Sequence, residues 1–181
     1  MTSSLLTELR GDCAQCAALC CLAPAFDKSP CFGFDKPAAT PCPNLAACGA
    51  CRIHESRAQS GFGGCVSYDC FGAGQRVTQE VFGGRKWLSE PDLKVPMTRA
   101  FMAMRRLHEM LALLKTAEGL PLHVTERLAL AALSAALEPA NGWTEDRLNN
   151  APLDEMERQV QAFLQSLKRH VVRNKSAKIS P

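Results

Sequence analysis

The chain has 181 residues, 46% of them hydrophobic and 22% charged, and a formal net charge of +3 at pH 7. That length is enough for one domain, or two small ones, to bury a core. No run approaches the roughly 18 apolar residues that a membrane span requires, so a membrane role is not expected.

Ten cysteines set the composition apart, all of them between Cys13 and Cys70, and none follows in 71–181. Two regions with different ways of staying folded are therefore expected, a cysteine-rich one over 1–92 and a second over 93–181, joined near Pro91 to Pro96. An even cysteine count in a dense segment often marks a disulfide framework in a secreted protein. The N-terminus argues against that here. Glu8, Arg10 and Asp12 interrupt the basic start and apolar run that a signal peptide needs, and cleavage after "AALCCLAPA" would remove the first cysteines. The expected location is cytoplasmic, where clustered thiols stay reduced and usually mean metal or redox chemistry.

The first element is "DCAQCAALCC", four cysteines in nine residues. Asp12 reads as an N-cap, and the stretch to Pro24 predicts a helix. At 100° per residue Cys13, Cys16 and Cys20 then fall within about 60° of one another, with Cys21 roughly 80° from Cys13 on the other side. Four thiols so placed can face one centre. "TPCPNLAACGACRIH" adds Cys42, and then Cys48 and Cys51 in a C-x-x-C turn with Gly49 at its tight position. Such turns aim two sulfurs and several amides at one point, which suits tetrahedral thiolate coordination. "GFGGCVSYDC" adds Cys65 and Cys70 behind a glycine-rich turn. Thiolate ligands select zinc or an iron–sulfur cluster about equally on ligand type. The segment holds few large apolar groups, so metal binding, worth roughly 10–16 kcal/mol per structural site, is expected to fold it.

These motifs in order, C-x-x-C-x-x-x-C-C, Pro-Cys-x-x-Leu, Cys-x-Ile-His and Cys-x4-Cys, resemble the YkgJ-like zinc/iron-chelating domain family. The resemblance covers about 60 residues and implies Cys13, Cys16, Cys20, Cys21, Cys42, Cys51, Cys65 and Cys70 as ligands. "KPAATPCPNL" and "YDCFGAGQ" are also similar to the cysteine-rich leader that precedes pentapeptide repeats in some bacterial proteins, although no five-residue repeat follows here. Cys31 and Cys48 have no place in the family pattern. Cys31 reads as a free loop thiol, and Cys48 remains an additional ligand candidate by its spacing from Cys51. Eight ligands allow two four-thiolate sites, or one cluster with the other thiols structural.

Weaker candidates have ordinary readings. His54, three residues after Cys51, is a candidate ligand or a donor that orients one, against the ordinary reading of a solvated or core histidine, which is expected first. Asp69, beside Cys70, is a candidate of the second kind and is expected first as a turn residue. "GAGQRV" lacks the further glycine and preceding strand of a phosphate loop.

From Pro96 the pattern is helical. Phe101, Met104, Leu107, His108, Leu111 and Leu114 predict a first helix ended by Gly119 and Pro121. "LALAALSAAL", Leu128 to Leu137, predicts a central buried helix. Thr144 caps a short turn, and Pro152 opens a third helix with the stripe Leu153, Met156, Val160, Phe163, Leu164, Leu167 and Val171. The face of Phe101, Met104 and Leu111 is expected to pack on the cysteine region or on a second copy of the chain. Lys168, Arg169, Arg173, Lys175 and Lys178 form a basic tail with no acid among them, read as a solvated terminus, and nucleic acid is not the expected partner.

The expected fold class is mainly α, an irregular cysteine-rich metal-binding region of short helices and turns followed by a three-helix region. The function expected first is non-enzymatic binding of zinc or an iron–sulfur cluster. The alternative is a redox or modification enzyme with an exposed cluster or cysteine, whose helices grip the substrate. No Cys/His/Asp catalytic set stands out in the sequence.

Overall fold

A computed structural model describes residues 9–170; Val171 of the third stripe and Arg173, Lys175 and Lys178 of the tail lie outside them. The fold is mainly α. A single 3-10 turn, Cys13–Gln15, precedes the helices α1 (Leu19–Leu22), α2 (Gly63–Ser67), α3 (Ala73–Arg76), α4 (Lys94–Ala117), α5 (Val124–Leu137), α6 (Glu145–Asn149) and α7 (Leu153–Ser166). A π turn, Val77–Val81, prolongs α3, and a 3-10 turn at Pro91–Leu93 leads straight into α4.

The continuous helix expected over 13–23 does not form. Asp12 does cap, its carboxylate accepting from the Ala14 amide at 2.9 Å, but the turn ends at Cys16 and Ala18 takes a left-handed conformation, φ +56°. Tertiary bonds outcompete the helical ones at this break. Ala17 N–H donates to Thr78 Oγ1 at 2.9 Å, and Ala17 C=O accepts from Trp87 Nε1 at 2.6 Å. Both polar groups of Ala17 are thus claimed by a segment some 60 to 70 residues away, which leaves them unavailable to an i→i+4 ladder. The one-face arrangement of Cys13, Cys16 and Cys20 is lost with the helix.

α4 is the central helix. Met97, Ala100, Phe101, Met104 and Leu107 have no exposed surface, and α1, α3, the π turn, α5, α6 and α7 all pack around it. The expected packing of Phe101 and Met104 is met from the N-terminal side: Ala17, Leu19, Leu22, Ala73, Val77 and Trp87 share one core with α4. The central position expected for α5 is corrected. Leu128 is 66% exposed and Val124 64%, while Leu130 and Leu137 are its buried apolar residues. Alanine favours the helix without demanding burial, and the larger side chains of α4 take the centre. At its ends α5 is fixed by a capping box between His123 and Glu126 and by Trp143 Nε1 donating to Leu137 C=O at 3.0 Å. Thr144 caps α6 and Pro152 precedes α7, as their residue types predict, and Val160 and Leu167 carry the α7 stripe into the core.

Between α1 and α2 the chain runs in turns and isolated bridges, Phe26 with Lys36, Ser29 with Phe32 and Leu45 with Cys51. A cluster of rings, Phe26, Phe32, Phe34 and Phe62, stands in for a core there, Phe26 stacking on Phe32 at 4.3 Å between centroids. Gly49 turns at φ +88°, a conformation in which a side chain is strained.

Candidate metal centre

All ten cysteines are free thiols. Cys16, Cys20, Cys21, Cys42, Cys51, Cys65 and Cys70 are half-buried, whereas Cys13, Cys31 and Cys48 are exposed. Four separate stretches bring the eight family-pattern thiols together. α1 carries Cys20 and Cys21 between Leu19 and Leu22, which are buried in the core shared with α4, and Cys20 packs against the edge of that core. The Cys42 amide donates to Cys21 C=O at 2.9 Å, tying the second stretch to the first, and the Leu45–Cys51 bridge folds Cys51 back beside Cys42. α2 presents Cys65, and the chain then turns through Cys70 into α3.

Electrostatic coupling sorts these thiols into two groups that meet at Cys20. Burial pushes the Cys13 and Cys16 thiols up, Cys16 to about 12, and Cys20 and Cys70 push both further in the same direction. Burial likewise raises Cys42 and Cys65; Cys51 and Cys20 add to the first, and Cys42, Cys20 and Cys51 to the second. Cys20 itself is held well above the usual thiol range, first by a hydrogen bond with the Cys21 thiol and then by burial. Mutual repulsion of this kind means that ionised thiols there need a cation.

Cations and donors stand nearby. Lys36 is 3% exposed, its ammonium donating to the carbonyls of Leu22 at 3.0 Å, Pro37 at 3.2 Å and Thr40 at 2.9 Å, and it lies within reach of Cys42, Cys21 and Cys20. Arg57 donates to Cys65 C=O at 3.3 Å and favours the charged forms of Cys13 and Cys65. The Leu19 amide points at Cys16 Sγ and the Asn44 amide at Cys42 Sγ, and each stabilises thiolate.

The donor set fits a thiophilic metal in kind, eight thiols with amide donors and buried positive charge around them. It is gathered rather than closed: among the described residues no three Cys, His, Asp or Glu side chains stand close enough together to hold a metal ion as placed. Cys31 projects from the Ser29–Phe32 turn and Cys48 from the turn at Gly49. His54 is engaged with Glu55 at 2.8 Å on the surface, and Asp69 accepts from the Phe71 amide at 2.7 Å as a turn residue. "GAGQRV" forms α3, with Ala73, Gly74 and Arg76 buried in packing.

Lys36, Tyr68 and Arg105 escape a motif-based reading. Tyr68, two positions before Cys70, and Arg105, four after the buried Phe101, carry a weak signal: a polar tip beside a ligand, and a charge on an apolar stripe.

No described protein family and no solved structure matches the chain. It is 36% identical over 157 residues to "Uncharacterized protein YybG" of Bacillus subtilis (strain 168), an alignment that takes in 87% of this chain and 56% of the relative. The chain thus spans just over half the length of the curated relative it matches. No helix among the described residues is long and apolar enough to cross a membrane.

Proposed function

We propose that this chain is a metal-binding protein of a reducing, cytoplasmic environment, holding zinc or an iron–sulfur cluster on Cys13, Cys16, Cys20, Cys21, Cys42, Cys51, Cys65 and Cys70. The observation that carries the reading is the meeting of these thiols around α1, coupled through Cys20, beside a buried lysine. Zinc bound by four thiolates supplies rigidity and no redox chemistry, whereas an iron–sulfur cluster supplies electron transfer or sensing. This chain's own part is to collect the thiols, draw them together as they lose their protons, and balance the resulting charge with Lys36 and Arg57. The Leu19 and Asn44 amides are set to donate to the sulfurs that ionise. The α4–α7 bundle then acts as the body on which this region rests and as the surface offered to a protein partner or a second copy.

The test is anaerobic purification followed by metal analysis and visible absorption. A colourless protein with stoichiometric zinc supports a structural centre, and a brown one a cluster. Serine at any of the eight positions is expected to lower metal content, while Cys31→Ser leaves it unchanged. Chelation should open 24–71 to proteolysis while the far-UV helical signal of α4–α7 is mostly kept. Metal-free protein from every preparation, or equal metal loss on Cys31→Ser, would sink the reading.

A further inference from the structure

Tyr68 and Arg105 meet at the edge of the core that also receives Cys16, Cys20 and Cys70. The Arg105 guanidinium lies 5.5 Å from the centroid of the Tyr68 ring, on its face. Arg105 comes from α4 and its Nη2 pairs with Glu109 at 3.3 Å, so the guanidinium is held from its own helix. Two polar atoms of this pair, Tyr68 Oη and Arg105 Nε, are buried and have no hydrogen-bond partner among the described residues. Orphaned polar atoms are rare in folded proteins because each loses its water without replacement. Two of them on one stacked pair mark a polar spot in the packing whose acceptor, for the phenol at least, is missing. A phenol hydroxyl and a guanidinium N–H are both donors. Glu109 also lies within electrostatic reach of the phenol, but its carboxylate is engaged by Arg105 Nη2 and leaves Tyr68 Oη and Arg105 Nε unmet, so the acceptors left to this site are the sulfurs. Cys20 and Cys70 lie within electrostatic reach of the phenol.

Resting on the metal-binding reading above, we propose that Tyr68 and Arg105 are positioning residues of the thiolate centre, Tyr68 O–H donating to a sulfur of Cys20 or Cys70 and Arg105 supplying positive charge behind the ring. Partners of this kind, one shell outside the metal, orient the ligand and tune its electron density. The pair also joins the centre to α4, so that closing the thiols on a metal fixes a side chain of the central helix.

The experiment titrates the metal-free, reduced full-length chain with Co²⁺ and follows the thiolate-to-cobalt absorption. Tyr68→Phe keeps the ring and removes one donor. It is expected to weaken Co²⁺ binding by about 10-fold, at the low end of outer-shell effects, and to move the charge-transfer band to lower energy as the sulfur becomes more electron-rich. The same variant should melt no lower than wild type without metal, because it also removes an unpartnered hydroxyl. A merely structural tyrosine would move melting and affinity in the same direction. Arg105→Lys, which keeps a charge able to pair with Glu109 but loses Nε, should weaken Co²⁺ binding in the same sense and serves if Tyr68→Phe is poorly folded. Wild type that shows thiolate–cobalt bands while both variants bind within twofold of it, with unmoved bands, overturns this inference alone. Wild type with no such bands overturns the metal-binding reading and this inference with it.

Discussion

A Cβ placed on Gly74 would stand 2.6 Å from Cys16 Sγ, closer than any packed side chain tolerates. Gly74 is buried on α3, and the neighbouring Thr78 hydroxyl donates to its carbonyl at 2.8 Å while accepting from Ala17. The helix therefore cannot slide away. Gly74→Ala is expected to displace Cys16 and destabilise the chain by about 1–3 kcal/mol, as overpacking does, and to lower metal content. Chemical denaturation beside metal analysis checks both. At this scale the thiols were legible, because cysteine is scarce and its close clustering serves metal, redox or disulfide chemistry. Gly74 was not, since its demand comes from a sulfur placed by tertiary contact. Lys36, Tyr68 and Arg105 were hidden for the same reason: Lys36 and Tyr68 are ordinary residues until the fold sets them beside the cysteines, and Arg105 until it is set on the Tyr68 ring.

Among the helices, type and order were easier to read than depth. α4, α6 and α7 follow from stripe and cap residues such as Phe101, Thr144 and Pro152, which act locally. α5 shows the limit of composition. Its alanines and leucines read as a buried rod, yet the helix packs by Leu130 and Leu137 and turns Val124 and Leu128 outward. Leu128→Lys is accordingly expected to change stability by no more than about 0.5 kcal/mol. Leu130→Ala, in the small cluster with Ala117, Leu122 and Leu167, should cost about 2–3 kcal/mol. Paired thermal melts separate these from the reverse outcome that a central α5 would give. The N-terminal helix failed for the opposite reason: a good local sequence over 13–23 lost to the bonds that Thr78 and Trp87 make to Ala17.

Across the whole molecule the core ignores the change in cysteine content, running from Ala17 and Leu22 through Val77 to α4 and α7. His108 is one of its fasteners. It has no exposed surface; its Nδ1–H donates to Phe71 C=O at 2.6 Å, and Nε2 accepts from Arg76 Nη1 at 3.4 Å. Burial, with Arg76 beside it, lowers the imidazole to about 4 from its ordinary 6.5. Above pH 6.5 the ring is neutral in folded and unfolded chains alike, and its contribution is intact. Between 6.5 and about 4 the unfolded chain takes up a proton that the folded one refuses, so stability falls as pH falls, by at most about 3 kcal/mol. Glu126, held down to about 2 chiefly by the His170 ring, acts in a lower window, below 4.5. His108→Gln is expected to be less stable at pH 7 and to show a flatter stability profile from 6.5 to 4, measured as the denaturant midpoint against pH. A wild-type profile already flat across that window would show that His108 is not the group responsible.

The bond from Trp87 to Ala17 has an optical consequence. The chain has two tryptophans, and each indole N–H is fixed to a different carbonyl, Trp87 to Ala17, next to Cys16, and Trp143 to Leu137, at the end of α5. Fluorescence from Trp87 therefore registers movement of the thiol-bearing backbone, while Trp143 emits from the helical body. With Trp143 replaced by phenylalanine, the remaining indole becomes a built-in gauge whose emission follows the cysteine segment as it loosens or tightens, with no dye or label attached.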